Sequence, residues 1–115
     1  MKIKHILKSK DFAEIIKSGE KVRGRTITLY VKRGGKEKEA GIGVTVPKAS
    51  APLAVKRNYV KRRIYAYFRE RGFREQGLKV IVRVVSNIRD LKKKPLSKEI
   101  KNELETLAEK AGIKT

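Results

Sequence analysis

The run Gly41-Ile42-Gly43-Val44-Thr45-Val46-Pro47 alternates large aliphatic with small residues, whereas Lys56-Arg57-Asn58-Tyr59-Val60-Lys61-Arg62-Arg63-Ile64-Tyr65-Ala66-Tyr67-Phe68-Arg69 repeats on a helical period. In the first run Ile42, Val44 and Val46 share one side, as a half-buried strand requires, and Pro47 stops it because proline has no N–H to donate to a ladder. In the second, Val60, Ile64, Tyr67 and Phe68 gather on one side of a helix expected to end near Arg71, while Asn58, Arg62, Tyr65 and Arg69 gather on the other. One side packs and the other faces a partner. Gly72 and Gly77 then bracket a turn, and Lys79 to Val85, centred on Val80-Ile81-Val82, reads as a further strand. The link from Pro47 to Val55 carries two prolines and is too short to separate domains.

Working outward, Val22 to Arg33 alternates again, with Ile27, Leu29 and Val31 opposed to Thr28, Tyr30 and Lys32, and is expected to form one strand. Gly34-Gly35 and the charged Lys36-Glu37-Lys38-Glu39 supply an exposed connection to the next strand. Upstream, Ser9 offers an N-cap, Phe12, Ala13, Ile15 and Ile16 recur at helical spacing up to Ser18, and Gly19 suits the C′ position. Downstream, Pro95-Leu96-Ser97 precedes a last helix whose apolar stripe is Ile100, Leu104, Leu107, Ala108 and Ala111, closed by Gly112. The order is α-β-β-α-β-α, with room for one more short strand between Ser50 and Val55. It predicts an α+β fold, a two-layer α-β sandwich of about αβββαβα order. The second sheet face would then display Thr28, Tyr30, Lys32, Thr45 and Arg83, a polar floor walled by the first helix with Phe12.

The 115 residues allow one domain, taken as residues 1–115 with a basic N-terminal arm over residues 1–8. Thirty-one Lys and Arg against 12 Asp and Glu leave a net charge of +19, a self-repulsion that a compact fold tolerates best beside a polyanion. The absence of Cys, with His5 the only histidine, excludes disulfides, thiolate metal sites and the usual Ser-His and Cys-His catalytic pairs. The start Met1-Lys2-Ile3-Lys4-His5 lacks the apolar stretch of a signal, and no run approaches the ~20 residues of a membrane span. A cytoplasmic protein with no membrane and no small-molecule substrate is expected. Asp11, Glu14, Glu20, Glu99, Glu103, Glu105 and Glu109 read as helix-surface charge, His5 as part of the basic arm, and no cluster supplies the oxygen ligands of a protein-held metal.

From Lys56 to Arg69 there is no acidic residue at all, although surfaces ordinarily intersperse both signs. An anionic backbone is the economical explanation. Asn58 can serve as a helix cap or as a polar contact to nucleic acid, and Tyr65, beside Arg62, can stack on a base or shield its neighbours.

The segment Ala54-Val55-Lys56-Arg57-Asn58-Tyr59-Val60-Lys61-Arg62-Arg63-Ile64 resembles the signature of the bacterial ribonuclease P protein family. Lys10-Asp11-Phe12 leading to Gly19, Leu29-Tyr30-Val31, Gly43-Val44-Thr45-Val46-Pro47-Lys48, Val80-Ile81-Val82-Arg83 and the terminal amphipathic helix follow in the family's order, so the resemblance spans nearly the whole chain. Tyr59 stands where the signature usually has a second Arg, Tyr65 where the family often has Arg, and Ala49 where a second Lys commonly follows Lys48. The resemblance implies a left-handed βαβ crossover and a protein that binds ribonuclease P catalytic RNA. It also implies a holoenzyme that cleaves the 5′ leader from precursor tRNA, with the active site and Mg2+ held mainly by the RNA. By position, Arg57, Asn58, Lys61, Arg62, Tyr65 and Arg69 would meet the catalytic RNA. Phe12, Ile16, Tyr30, Lys48 and Arg83 would line a cleft for the leader, and the protein would supply no catalytic residue. A structural ribosomal protein and a DNA binder with its basic helix in a major groove remain as alternatives.

Overall fold

The computed structural model describes residues 3–6, 8–35, 40–72 and 77–113. In chain order the elements are β1 (Ile3–Ile6), α1 (Ser9–Ser18), β2 (Glu20–Arg23), β3 (Ile27–Lys32), β4 (Ala40–Thr45), α2 (Ala54–Arg71), β5 (Lys79–Val84) and α3 (Lys93–Lys110). The strands form one mixed sheet in the order β1-β4-β5-β3-β2. β1 and β5 run parallel to β4, while β3 is antiparallel to both β2 and β5, so β4–α2–β5 is a parallel βαβ unit.

The alternation read from the sequence sorts the sheet faces correctly. Ile27, Leu29 and Val31, then Ile42, Val44 and Val46, then Val80, Val82 and Val84 all point to the face covered by α2 and α3. Val60, Ile64, Tyr67 and Phe68 are the buried residues of α2, and Leu96, Ile100, Leu104, Leu107 and Ala108 those of α3. Phe68 is fully enclosed, its ring edge-on to Tyr67 at 5.1 Å, so truncating it to Ala should cost about 3–5 kcal/mol. On the other face α1 seats Ile15 against Tyr30 and Ile81, with Phe12 and Ile16 packed beside them.

Several boundaries differ from expectation, each for a local reason. The strand expected over Val22 to Arg33 is two strands, because the chain reverses at Gly24-Arg25-Thr26 and Glu20–Arg23 folds back to pair with Thr28–Val31. The additional strand therefore lies at Glu20–Arg23, and Ser50 to Val55 forms none. Ser9 is the first helical residue rather than the cap; Lys8 is the N-cap, and its backbone N–H donates to the Asp11 carboxylate at 3.0 Å. Gly19 caps α1 in extended backbone, and a side chain there would meet the Ile15 carbonyl oxygen at 2.6 Å. Gly72 and Gly77 do adopt positive φ, 68° and 69°, as sharp chain reversals require. α3 begins two residues before Pro95, which sits in its first turn, where a missing N–H costs nothing. The arm expected over residues 1–8 contains β1, paired in parallel with β4. The connection Lys36–Glu39 and the interior of the turn between Gly72 and Gly77 lie outside the described residues.

Glu99 and Glu103 are not surface charge. The Glu103 carboxylate accepts the backbone N–H of Thr26 at 2.8 Å and of Ile27 at 3.3 Å, and Glu99 accepts the Thr26 hydroxyl at 3.0 Å. They hold the β2–β3 turn against α3.

Candidate RNA interface

Register lays the outer sheet face out in rows. Lys21 opposes Tyr30, Tyr30 opposes Ile81 and Ile81 opposes Gly43; one step along, Arg23, Thr28, Arg83 and Thr45 stand side by side across four strands. α1 covers the first row, where the Phe12 ring fills the space a Cβ on Gly43 would need. The second row lies clear of α1, with Arg23 and Arg83 exposed and Thr28 buried between them. It floors a groove of about 470 Å³ bounded by Lys21, Arg23, Thr28, Tyr30 and Arg83 and by the rim Pro47, Ala49 and Ser50. Arg83 is exposed and unpaired among the described residues, so its charge is free for an anion. Lys48 projects from the same rim, exposed between Pro47 and Ala49.

The cleft residues read from the sequence thus separate into two groups. Tyr30 and Arg83 line the open groove, with Lys48 at its edge; Phe12 and Ile16 form the packed wall with Ile15. Tyr30 is only 5% exposed, with the Lys21 ammonium 5.7 Å from its ring centroid, so a base would meet its edge rather than a free ring face. Lys21 and Arg23 went unrecognised in the sequence. Their signal was the continued alternation Lys21-Val22-Arg23, legible once Gly24 is read as a hairpin tip.

The second basic surface is α2, whose core residues are fixed by β4 and α3. Asn58, Arg62 and Arg69 are exposed on its outer side and make no ion pair among the described residues. Asn58 stands a full turn inside the helix, since the N-cap is Leu53; the capping role is excluded. Lys61 and Tyr65 flank this strip, half-buried. Tyr65 packs against the core beside β4, and burial pushes its phenol above the ordinary pKa, the Val44 backbone acting the other way. Arg57 folds back and donates to the Ala51 and Pro52 carbonyls at 2.8 and 2.7 Å, bracing the link that precedes α2. Lys56 likewise donates to the Arg89 and Leu91 carbonyls, and Arg63 to the Ser97 hydroxyl. Tyr59, at the position of the signature's usual Arg, turns toward α3: its hydroxyl donates to the Lys93 carbonyl at 3.3 Å and the Lys93 ammonium lies 5.3 Å from its ring.

Other carboxylates are committed to cations. Glu14 pairs with Lys32, Glu20 with Arg33 and Glu105 with Arg71. The Lys32 hydrogen bond and charge hold the Glu14 carboxyl below the usual carboxylate range. Among the described residues no three His, Asp or Glu side chains converge as a metal ligand set. No helix of the described residues is long and apolar enough to cross a membrane.

A groove of cations on the sheet and a cationic strip on α2 lie on opposite sides of one small fold, and a family model described as Ribonuclease P matches residues 1–111. The chain belongs to the ribonuclease P protein family. It is 30% identical over 104 residues to the ribonuclease P protein component of Pseudanabaena sp. (strain PCC 6903), covering 90% of this chain and 86% of that one. It is 36% identical over 105 residues to that of Mycoplasmopsis pulmonis (strain UAB CTIP), covering 90% and 91%. Among solved structures, the ribonuclease P protein of Staphylococcus aureus superposes with a TM-score of 0.83 at 25% identity, over 97% of this chain and 99% of that one. The ribonuclease P protein of Thermotoga maritima, at 21% identity, shares the fold with a TM-score of 0.68 over 90% and 94%. Membership in the ribonuclease P protein family displaces the ribosomal and DNA-binding alternatives.

Proposed function

We propose that the chain is the protein subunit of a cytoplasmic ribonuclease P ribonucleoprotein, binding the catalytic RNA through α2 and the 5′ leader of precursor tRNA through the groove on the sheet. The observation that carries this reading is the separation of the two cationic surfaces. A protein that only coated an RNA would need one continuous basic face, whereas a subunit that joins RNA partner to substrate needs two. On α2, Asn58, Lys61, Arg62 and Arg69 offer phosphate and sugar contacts, with Tyr65 at their edge. In the groove, Arg23, Arg83 and Lys48 neutralise phosphates and Tyr30 presents its edge to the leader's unpaired bases, with Phe12 and Ile16 in the packed wall beside it. Bond cleavage and its Mg2+ belong to the RNA in this scheme, and the protein's contribution is to bind, orient and screen charge.

Reconstitution with a bacterial ribonuclease P RNA and a precursor tRNA at low magnesium tests it. The chain should accelerate release of the 5′ leader relative to RNA alone. Tight RNA binding without acceleration would instead mark a structural RNA-binding protein.

A further inference from the structure

The groove on the sheet does not end at β2. Arg23 and Gly24 line it and also line a second, larger groove of about 710 Å³ that runs between the β2–β3 turn and α3. Resting on the reading of the first groove as the leader site, we propose that a single-stranded 5′ leader turns at Arg23–Gly24 and continues along α3, in a distal nucleotide site formed by Arg25, Lys98, Asn102 and Lys110.

Size and charge support this path. A groove of about 470 Å³ is in the range of sites for one drug-sized molecule, and so holds only a nucleotide or two; a longer strand must leave it. At the bend Gly24 lets α3 pack close, with Glu103 at 2.6 Å and Leu107 at 2.7 Å from where a Cβ would stand, so the α3 groove begins directly beside the turn. Arg23, Arg25, Lys98 and Lys110 are all exposed there and none is in an ion pair among the described residues. The exposed amide of Asn102 adds donors and an acceptor suited to a base edge or a 2′-hydroxyl. The same groove holds two carboxylates, Glu99 and Glu103, which accept hydrogen bonds from Thr26 and Ile27; the four cations outnumber them, so the lining is net positive.

The test uses the holoenzyme reconstituted with a bacterial ribonuclease P RNA and precursor tRNAs whose leaders are roughly 4, 8 and 16 nucleotides long, with mature tRNA alongside. In the parental holoenzyme affinity should keep rising through the longest leader. The double variant Lys98→Ala/Lys110→Ala, two exposed side chains, should bind the longest leader roughly five- to tenfold more weakly and lower the salt slope for it by about 1.4. The shortest leader and mature tRNA should bind within about twofold of parental. Lys98→Glu alone should reproduce the direction. An equal loss for every substrate, or no loss for any, overturns the distal site. If parental affinity rises with the first few nucleotides and then stops, the distal site falls while the leader groove stands. If parental affinity is indifferent to any leader, both fall.

Discussion

The ring of Phe12 occupies the space directly over Gly43 in which a Cβ would otherwise stand. α1 is thereby set at one height over β4 and β5, and the row beyond it, from Arg23 to Thr45, is what remains for a ligand. The depth of the groove follows from the absence of a methyl group.

Phe12→Ala should weaken binding of tRNA carrying a 5′ leader to the holoenzyme by roughly five- to hundredfold, since contact with an unpaired base is worth ~1 to 3 kcal/mol. Mature tRNA should bind as before. Equal affinities for both substrates with a lowered melting temperature would make Phe12 a packing residue only. Gly43→Ala should act on the same wall from the other side, displacing the ring at a cost of about 1–3 kcal/mol in urea unfolding.

Glu103→Ala should destabilise the fold by about 1.5–3 kcal/mol, because two backbone N–H groups lose a charged acceptor where water reaches poorly. Glu103→Gln keeps an acceptor oxygen and should cost less. Amide exchange at Thr26 and Ile27 is the direct readout: it should speed up in the Ala variant before other β3 amides do.

Glu14 should titrate below the ordinary carboxylate range, as Lys32 favours its charged form. The folded-state value is the depressed one, so its stabilising contribution is present above the unfolded-state value and disappears as pH falls through the folded value. NMR titration of the side-chain carboxyl checks this, and Lys32→Met should return Glu14 toward its ordinary value. The pair is exposed, so added salt should shrink the difference.

Arg62→Ala and Arg69→Ala should each flatten the dependence of log affinity for the catalytic RNA on log salt by about 0.7 to 0.9. Arg57→Ala and Arg63→Ala should change that slope less and lower the melting temperature more, because their guanidinium groups already serve the Pro52 link and Ser97. Slopes that fall equally for all four would place Arg57 and Arg63 on the RNA as well.

Replacing Asp11, Glu14, Glu20, Asp90 or Glu99 singly should leave the single-turnover cleavage rate at saturating magnesium within a few-fold. A loss near a thousandfold, ~4 kcal/mol of barrier, at any of them would move catalysis onto the protein.

The side of the strands that meets α2 and α3, and the buried side of α2, were legible in the sequence, since alternation and helical spacing are local properties: Ile27, Leu29, Val31 and Val60, Ile64, Tyr67, Phe68 all pack as their spacing predicts, whereas the burial of Thr28 and Tyr30 on the other side of β3 was not. Also legible were the charge and the signature that carry the family. The partners across the fold were not legible, because hydrogen bonds between distant residues leave no periodic trace. Glu103 meets Thr26 across 77 positions, and its helical spacing alone placed it with the solvent-facing acids. Arg57 looked equivalent to Arg62 until the loop carbonyls took it. Lys21 and Arg23 became groove residues only when β2 folded back on β3, bringing the Arg23 and Arg83 strands onto one sheet. A one-dimensional pattern records how much of each side chain avoids water; which neighbour does the covering is set by chain reversals and strand order, and those exist only in the folded molecule.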